Sequence, residues 1–193
     1  MLNVREWDCL AHRKEQERKP LTLNLGSQKA NLDEQVEQIY EQTRTAICSY
    51  LLCLGVPSSQ APEVTQEVFL RLYQSMKEGQ TIENKRAWLF RVAHNLGLTV
   101  RAREKSFQTV SPDWDRLVHP SGLSPEHEML DREKNERVAA AIDKLSAQQR
   151  NCLYLRSEGL RYREIAAVIG ISPSAVNEFL RRAISRLAEA LSE

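Results

Sequence analysis

Residues Leu160–Leu180 read LRYREIAAVIGISPSAVNEFL, and this stretch decides the fold of the C-terminal part of the chain. The apolar spacing before Gly170 predicts a short helix, and Gly170 permits the positive φ of a tight turn. Ser172 and Pro173 predict the start of a second helix, because serine caps helices and proline suits their first position. Such a pair is typical of a helix-turn-helix, whose second helix enters the major groove of DNA. A helical hairpin used only for packing remains the alternative.

The second helix of this motif has one apolar side and one polar side. Its apolar residues recur at steps of three and four, which predicts a buried stripe of Val176, Leu180, Ile184 and Leu187. Arginine and asparagine side chains can bind base edges or phosphates. At 100° per residue Arg182 points nearly opposite Leu180, so we expect it to contact DNA more directly than Arg181. The candidate DNA-contacting residues are Ser174, Asn177, Glu178, Arg181 and Arg182.

Composition indicates an all-helical protein of one or two small domains. The chain has 193 residues, of which 41% are hydrophobic and 27% charged, with only 7 Gly and 7 Pro. Its longest nearly apolar run, Tyr50–Val56, is far shorter than the roughly 18–20 residues that span a bilayer. The first 20 residues mix both charge signs without an apolar centre, unlike a secretory signal. We therefore expect a cytoplasmic protein without membrane insertion.

The sequence contains no arrangement of residues that predicts catalysis or metal binding. Cys48, Cys53 and Cys152 form no Cys-x-x-Cys pair and are expected to be reduced residues of the core. Neither the phosphate-binding Gly-x-x-x-x-Gly-Lys nor the nucleophile motif Gly-x-Ser-x-Gly occurs, and His127-Glu128 lacks the second histidine of a zinc motif. The prediction is a protein that is not an enzyme and needs no metal or cofactor.

The net charge of +1 hides a strong segregation of charges along the chain. Residues 85–105 carry six basic side chains against one acidic, and residues 150–187 carry seven against three. Residues 31–84 carry three basic against eight acidic, and residues 112–136 carry three against seven. Two basic blocks separated by an acidic one indicate two electropositive surfaces, although solvated helix faces would give the same pattern.

Breakers divide the chain into two helical units. A helix is predicted from Asp33 to about Leu54, a second from Pro62 to about Met76, and a third from about Asn84 to Lys105. The C-terminal part predicts helices over Ala147–Ser157, Tyr162–Ile169 and Pro173–Leu191. The resulting division is a loosely ordered extension over 1–31, a first helical domain over 32–105, a flexible linker over 106–129 and the helix-turn-helix domain over 130–193.

Both units resemble parts of one family of proteins. GLRYREIAAVIGISPSAVNEFLRRAISRLAEAL resembles region 4 of bacterial sigma factors of the sigma-70 family, which binds the promoter −35 element. TQEVFLRLYQ followed by KRAWLFRVAHNLGLTVRAR resembles region 2 of the extracytoplasmic-function (ECF) group of that family. The resemblance implies a sigma factor that binds core RNA polymerase through its β′ and β subunits and directs transcription initiation at promoter DNA. It also makes an anti-sigma factor a candidate partner.

The resemblance assigns two sets of residues in the first unit. On the second helix, the positions that match the family's contact with the β′ coiled coil are Glu63, Gln66, Glu67, Phe69, Leu70 and Arg71. On the third helix, the candidates for binding the melted −10 strand are Lys85, Arg86, Trp88, Arg91, Asn95 and Arg101. Cationic and aromatic side chains suit single-stranded DNA, but Trp88 is also in register with the core residues Val92 and Leu96.

The sequence departs from the family's pattern at several positions. Gln60-Ala61-Pro62-Glu63 replaces an acidic start of the second helix, Gly97 replaces an alanine and Thr99 replaces an aspartate. Glu178 would repel a phosphate, but it could accept a hydrogen bond from the amino group of cytosine. The main alternative to an ECF sigma factor is a stand-alone helix-turn-helix regulator that binds duplex DNA without polymerase. The basic third helix favours the sigma factor.

Overall fold

The computed structural model describes residues 25–104 and 137–192, and the side chains within 31–103 and 137–189. These ranges contain helices and no strand, so the all-α prediction is confirmed for them. The predicted linker over 106–129 and most of the N-terminal extension lie outside the described residues. The helices are α1 (Leu25–Leu54), α2 (Ala61–Lys77), α3 (Lys85–Glu104), α4 (Ala147–Ser157), α5 (Tyr162–Ile169) and α6 (Pro173–Ser192), with a further helical segment over 137–143.

The first helix begins earlier than the sequence predicted. We expected residues up to 31 to be loosely ordered, yet α1 already starts at Leu25. The sequence between Pro20 and Leu54 contains no proline, and residues 28–30 are Gln, Lys and Ala, which favour helix. The helix ends at Gly55, whose φ of 90° leaves the helical region.

Helices α1, α2 and α3 form the N-terminal unit around one apolar core. The fully buried side chains include Ile47, Tyr50 and Leu51 of α1, Val68 and Leu72 of α2, and Leu89, Phe90 and Ala93 of α3. Gly97 allows α3 to approach α1 closely. A Cβ at this position would lie 2.5 Å from Leu54 Cδ2, 3.1 Å from Leu51 Cδ2 and 3.2 Å from Val56 Cγ2. Packing therefore explains why glycine stands where the family has alanine.

Helices α4, α5 and α6 form the C-terminal unit, and their ends follow the predicted turn chemistry. Ser146 and Gln149 form a reciprocal capping box at the start of α4. Gly170 ends α5 with a φ of 79°. The Ser172 hydroxyl accepts a hydrogen bond of 3.2 Å from the Ala175 amide at the start of α6. The predicted helix-turn-helix is therefore present.

The predicted buried stripe of α6 is wrong at one position. Val176, Leu180 and Ala183 are buried, whereas Ile184 is 57% exposed. At 100° per residue, Leu180 and Ala183 lie within about 40° of Val176 around the helix axis, but Ile184 is displaced by about 80°. Leu187 returns to the stripe and is half-buried. The buried face of α6 thus follows steps of four and three residues and leaves Ile184 outside.

The two units pack against each other and share a continuous core. The hydroxyl of Tyr154 on α4 donates a hydrogen bond of 2.9 Å to the carbonyl of Ala46 on α1. Its ring lies 5.6 Å from the ring of Tyr50 and 6.5 Å from that of Phe90. The thiol of Cys53 approaches Asn151 Oδ1 at 3.8 Å. The sequence predicted two units but not this contact between them.

Candidate DNA-binding and protein-binding surfaces

A groove between α2 and α3 brings together most of the residues predicted to bind polymerase. Its volume is about 750 Å³. Leu70 is 49% exposed, while Arg71 forms an ion pair of 2.7 Å with Glu67 one turn earlier. The residues that line the groove are Gln60, which precedes α2, then Glu63, Val64, Gln66, Glu67, Leu70 and Arg71 of α2, and Leu96, Thr99, Val100 and Arg103 of α3. The groove thus combines apolar side chains with charges of both signs.

Phe69 does not line this groove, so its predicted role as a contact residue has no support in the geometry. The side chain is only 5% exposed and packs in the core of the N-terminal unit. Its ring meets that of Tyr40 edge-on, with the centroids 4.8 Å apart. Phe69 lies one position after the fully buried Val68, so it shares the inner side of α2. Leu70 is the large apolar residue that α2 presents to solvent.

The residues predicted to bind the −10 strand are distributed around α3. Arg91 and Asn95 are exposed one turn apart, and Leu98 continues the same stripe with 44% exposure. Lys85 is half-buried. Trp88 is half-buried against the core, as its register with Val92 indicated. We therefore take Arg91, Asn95 and Leu98 as the exposed stripe of α3.

The remaining arginines of this prediction are engaged with other parts of the protein. Arg101 is half-buried, and its guanidinium lies over the turn at Gly55, where a Cβ would be 3.3 Å from Arg101 Nε. Arg86 donates from Nε to the backbone carbonyl of Glu158 at 3.0 Å and forms an ion pair with the Glu158 carboxylate. The structure therefore does not bring Arg86 and Arg101 together with the exposed stripe.

On α6, three of the predicted DNA-contacting residues form one ionic cluster. Glu178 Oε1 accepts a hydrogen bond of 2.6 Å from Arg182 Nε and one of 3.1 Å from Arg181 Nη2. Glu178 Oε2 accepts from Arg181 Nε at 3.2 Å. Hydrogen bonds from both arginines lower the pKa of Glu178 to about 2. Both arginine side chains remain more than half exposed, so the prediction that Arg182 is the better placed of the two has no support in their exposure.

A polar pair that the sequence did not predict lies in the core beside these surfaces. The Tyr50 hydroxyl and His94 Nδ1 share a hydrogen bond of 2.8 Å, and His94 is only 5% exposed. Burial lowers the pKa of His94 and raises that of Tyr50. Phe90 is fully buried one turn before His94. The spacing of four residues between Phe90 and His94, continued by Gly97, was a helical signal that could have identified this face.

Comparisons with known proteins match both helical units to one family. The family model of sigma-70 region 2 matches residues 39–107, and that of sigma-70 region 4 matches residues 135–187. The ECF RNA polymerase sigma factor SigL of Mycobacterium tuberculosis is 32% identical over 161 residues, which cover 80% of this chain and 88% of SigL. The chain belongs to the ECF group of the sigma-70 family. Another relative of this sigma factor is the RNA polymerase sigma factor YlaC of Bacillus subtilis, 27% identical over 78% of this chain and 88% of YlaC.

Solved structures show the same fold. The structure of the sigma factor RpoE from Bartonella quintana, determined with the anti-sigma factor NepR, has a TM-score of 0.57 and 24% identity to this sigma factor. The match covers 81% of this chain and 96% of RpoE. The structure of CnrH in complex with the cytosolic domain of CnrY has a TM-score of 0.54 and 23% identity, covering 86% and 90% of the two chains. Within the described ranges, no helix of this sigma factor is both long and apolar enough to cross a membrane.

Proposed function

We propose that this sigma factor binds core RNA polymerase through the α2–α3 groove and promoter DNA through the exposed stripe of α3 and the ionic cluster of α6. The main support for this proposal is the groove, because it combines apolar side chains at its base with charged side chains along one helix. A groove of this composition suits an amphipathic helix, which places its apolar side inside and its charges at the rim. The predicted β′ coiled coil presents such a helix.

The two DNA surfaces suit different states of DNA. The α6 cluster follows a helix-turn-helix turn, and this helix type is inserted into the major groove of a duplex. The exposed stripe of α3 offers a cation, an amide and an apolar side chain in Arg91, Asn95 and Leu98, a combination that suits the phosphates and base faces of a separated strand. The sigma factor then acts by binding alone, without catalysis, and in the cytoplasm, where core polymerase and DNA are present.

A stand-alone regulator, the alternative that the sequence alone left open, would need only the helix-turn-helix. The α2–α3 groove distinguishes the two functions, since a repressor that binds only duplex DNA needs no such docking surface. An anti-sigma factor is also proposed as a partner, because the relative RpoE was solved with one.

Substitution of Leu70 by alanine tests the polymerase surface. Leu70 is half exposed in the groove, so Leu70→Ala should weaken core polymerase binding by about tenfold while leaving thermal stability nearly unchanged. Leu98→Ala is a matched control, because Leu98 is similarly exposed but lies outside the groove. Affinity is measured with purified core polymerase in the absence of DNA. Equal affinities of both variants and the unaltered protein would refute the assignment of the groove.

A further inference from the structure

A second cleft, with a volume of about 520 Å³, lies between α1, α4 and the helical segment over 137–143. This volume is within the range of pockets that hold small molecules. The cleft shares no residue with the α2–α3 groove, and neither the exposed stripe of α3 nor the ionic cluster of α6 lines it. The proposed binding of polymerase and DNA therefore leaves this cleft without a role.

The walls of the cleft combine polar and apolar side chains. Gln42, Thr45 and Ser49 recur at steps of three and four residues and present a polar stripe of α1 to it. Ile142 and Leu153 contribute apolar surface from the C-terminal unit. Small-molecule pockets have this composition, in which apolar walls hold the body of the ligand and a few polar groups orient it.

Arg150 is held in the wall of the cleft with part of its guanidinium group unused. Its Nη1 donates hydrogen bonds of 3.3 Å to the carbonyl of Asp143 and 3.0 Å to the carbonyl of Leu145, which fix the end of the side chain. Its Nε is buried and has no hydrogen-bond acceptor among the residues that the structure describes. Nε and Nη2 together form the edge through which arginine binds a carboxylate with two parallel hydrogen bonds. A carboxylate at this edge supplies the acceptor that the buried donor lacks.

The charged side chains around the cleft leave one positive charge without a carboxylate partner. Arg86 and Glu158 both line the cleft and form an ion pair with each other. The hydrogen bonds of Arg150 within the described residues go to backbone carbonyls, which carry no net charge. One uncompensated cation suits an anion of single charge, and a doubly charged phosphate would be repelled more strongly by Glu158.

We propose that this cleft binds a small amphipathic carboxylate, an anion with an apolar body. The carboxylate pairs with Arg150, the apolar body packs on Ile142 and Leu153, and the polar stripe of α1 orients the molecule. Because the ligand contacts α1 and α4 together, its binding stabilises the folded protein by mass action. The site is independent of the proposed polymerase and DNA surfaces, so its failure in a test would leave the proposed function unaffected.

The test titrates the full-length protein with cinnamate, an aromatic carboxylate, and follows the backbone amides by NMR. Amide signals of Ile142 and Leu153 should shift in a saturable manner. Cinnamamide is the matched neutral probe, and it should bind at least about tenfold more weakly because it cannot form the ion pair with Arg150. Equal affinities of the two probes, or no binding of cinnamate at concentrations up to about 5 mM, would overturn the proposal.

Two pairs of variants locate the probe. Arg150→Lys keeps the charge but loses the bidentate edge, so the affinity for cinnamate should fall about five- to tenfold, whereas Arg163→Lys, at an exposed position of α5 outside the cleft, should leave it unchanged. Thr45→Trp fills the cleft from an exposed position of α1 and should abolish binding, whereas Gln38→Trp adds the same bulk to α1 outside the cleft.

Thermal unfolding shows whether each variant folds. Should Arg150→Lys fail to fold, Thr45→Trp still decides, because Thr45 is exposed and its replacement leaves the core intact. Binding of cinnamate to Thr45→Trp with the affinity of Gln38→Trp would place the probe elsewhere and overturn the assignment of the cleft.

Discussion

Replacement of Gly97 by alanine should destabilise the N-terminal unit, although alanine is the better helix former. Helix propensity alone favours alanine by about 1 kcal/mol. The added methyl group, however, would lie 2.5 Å from Leu54 Cδ2, whereas carbon atoms pack at about 3.5–4.0 Å. Leu51 and Val56 already stand at 3.1 and 3.2 Å from the same point and restrict where Leu54 can move. Overpacking of this kind costs roughly 1–3 kcal/mol, so we expect a net loss of about 1 kcal/mol.

Urea unfolding followed by circular dichroism measures this loss. Thr99 provides the control, because it is exposed on the same helix two positions later. Thr99→Ala and Thr99→Gly both lose the hydrogen bond of 2.9 Å from the Thr99 hydroxyl to the Asn95 carbonyl. The difference between them therefore gives the propensity of glycine and alanine in α3 alone. If Gly97→Ala stabilised the protein by as much as that difference, α3 would not approach α1 as closely as described.

Other substitutions test the α6 cluster and the buried histidine. Glu178→Gln should strengthen binding to all duplex sequences and steepen its salt dependence by about one to two charges, because two arginines are released from their ion pairs with Glu178. Weaker binding with relaxed preference at one −35 position would instead show that Glu178 accepts a hydrogen bond from a cytosine. Arg182→Ala should weaken binding by roughly 1–3 kcal/mol if Arg182 binds a base edge, and unchanged −35 preference in a promoter library would exclude that contact. Because burial lowers the pKa of His94, the unfolded chain binds more protons near the ordinary histidine pKa of 6.5, and the free energy of unfolding should fall as the pH drops through that value. His94→Gln should reduce this slope by up to about 1.4 kcal/mol per pH unit, and an identical pH profile of unfolding in urea would contradict the assignment.

Local turn chemistry made most helix ends predictable. Gly170, Ser172 and Pro173 act within a few residues of their own position, so the sequence alone identified the bounds of α5 and the start of α6. The early start of α1 was missed because its first turns carry no capping signal. Helix-forming residues there extend a helix whose buried residues come later in the chain. The spacing of apolar residues predicts which side of a helix is covered but not what covers it.

The sequence predicted those candidate site residues whose position follows from their own helix. Glu63, Glu67 and Leu70 lie in the groove, but Phe69 turned inward, because a wide apolar face buries neighbouring residues that a motif comparison treats as contacts. The pairing of Arg86 with Glu158 joins residues 72 positions apart. Neither the charge count of α3 nor its helical period contains information on a partner so distant in the sequence. The contact becomes visible only when the two units are seen together.

The close packing of α3 limits which of its positions can change. Gly97 faces α1, Leu96 and Val100 border the groove with α2, and the first turn of α3 contacts the C-terminal unit. Most positions of α3 therefore pack against another helix. Substitutions there would alter assembly before they altered sequence preference. The exposed stripe of α3, which consists of Arg91, Asn95 and Leu98, does not pack against another helix among the described residues. Its residues can therefore vary at little cost in stability. If the proposed contact of this stripe with the −10 element holds, new promoter specificities would arise most readily from changes along it.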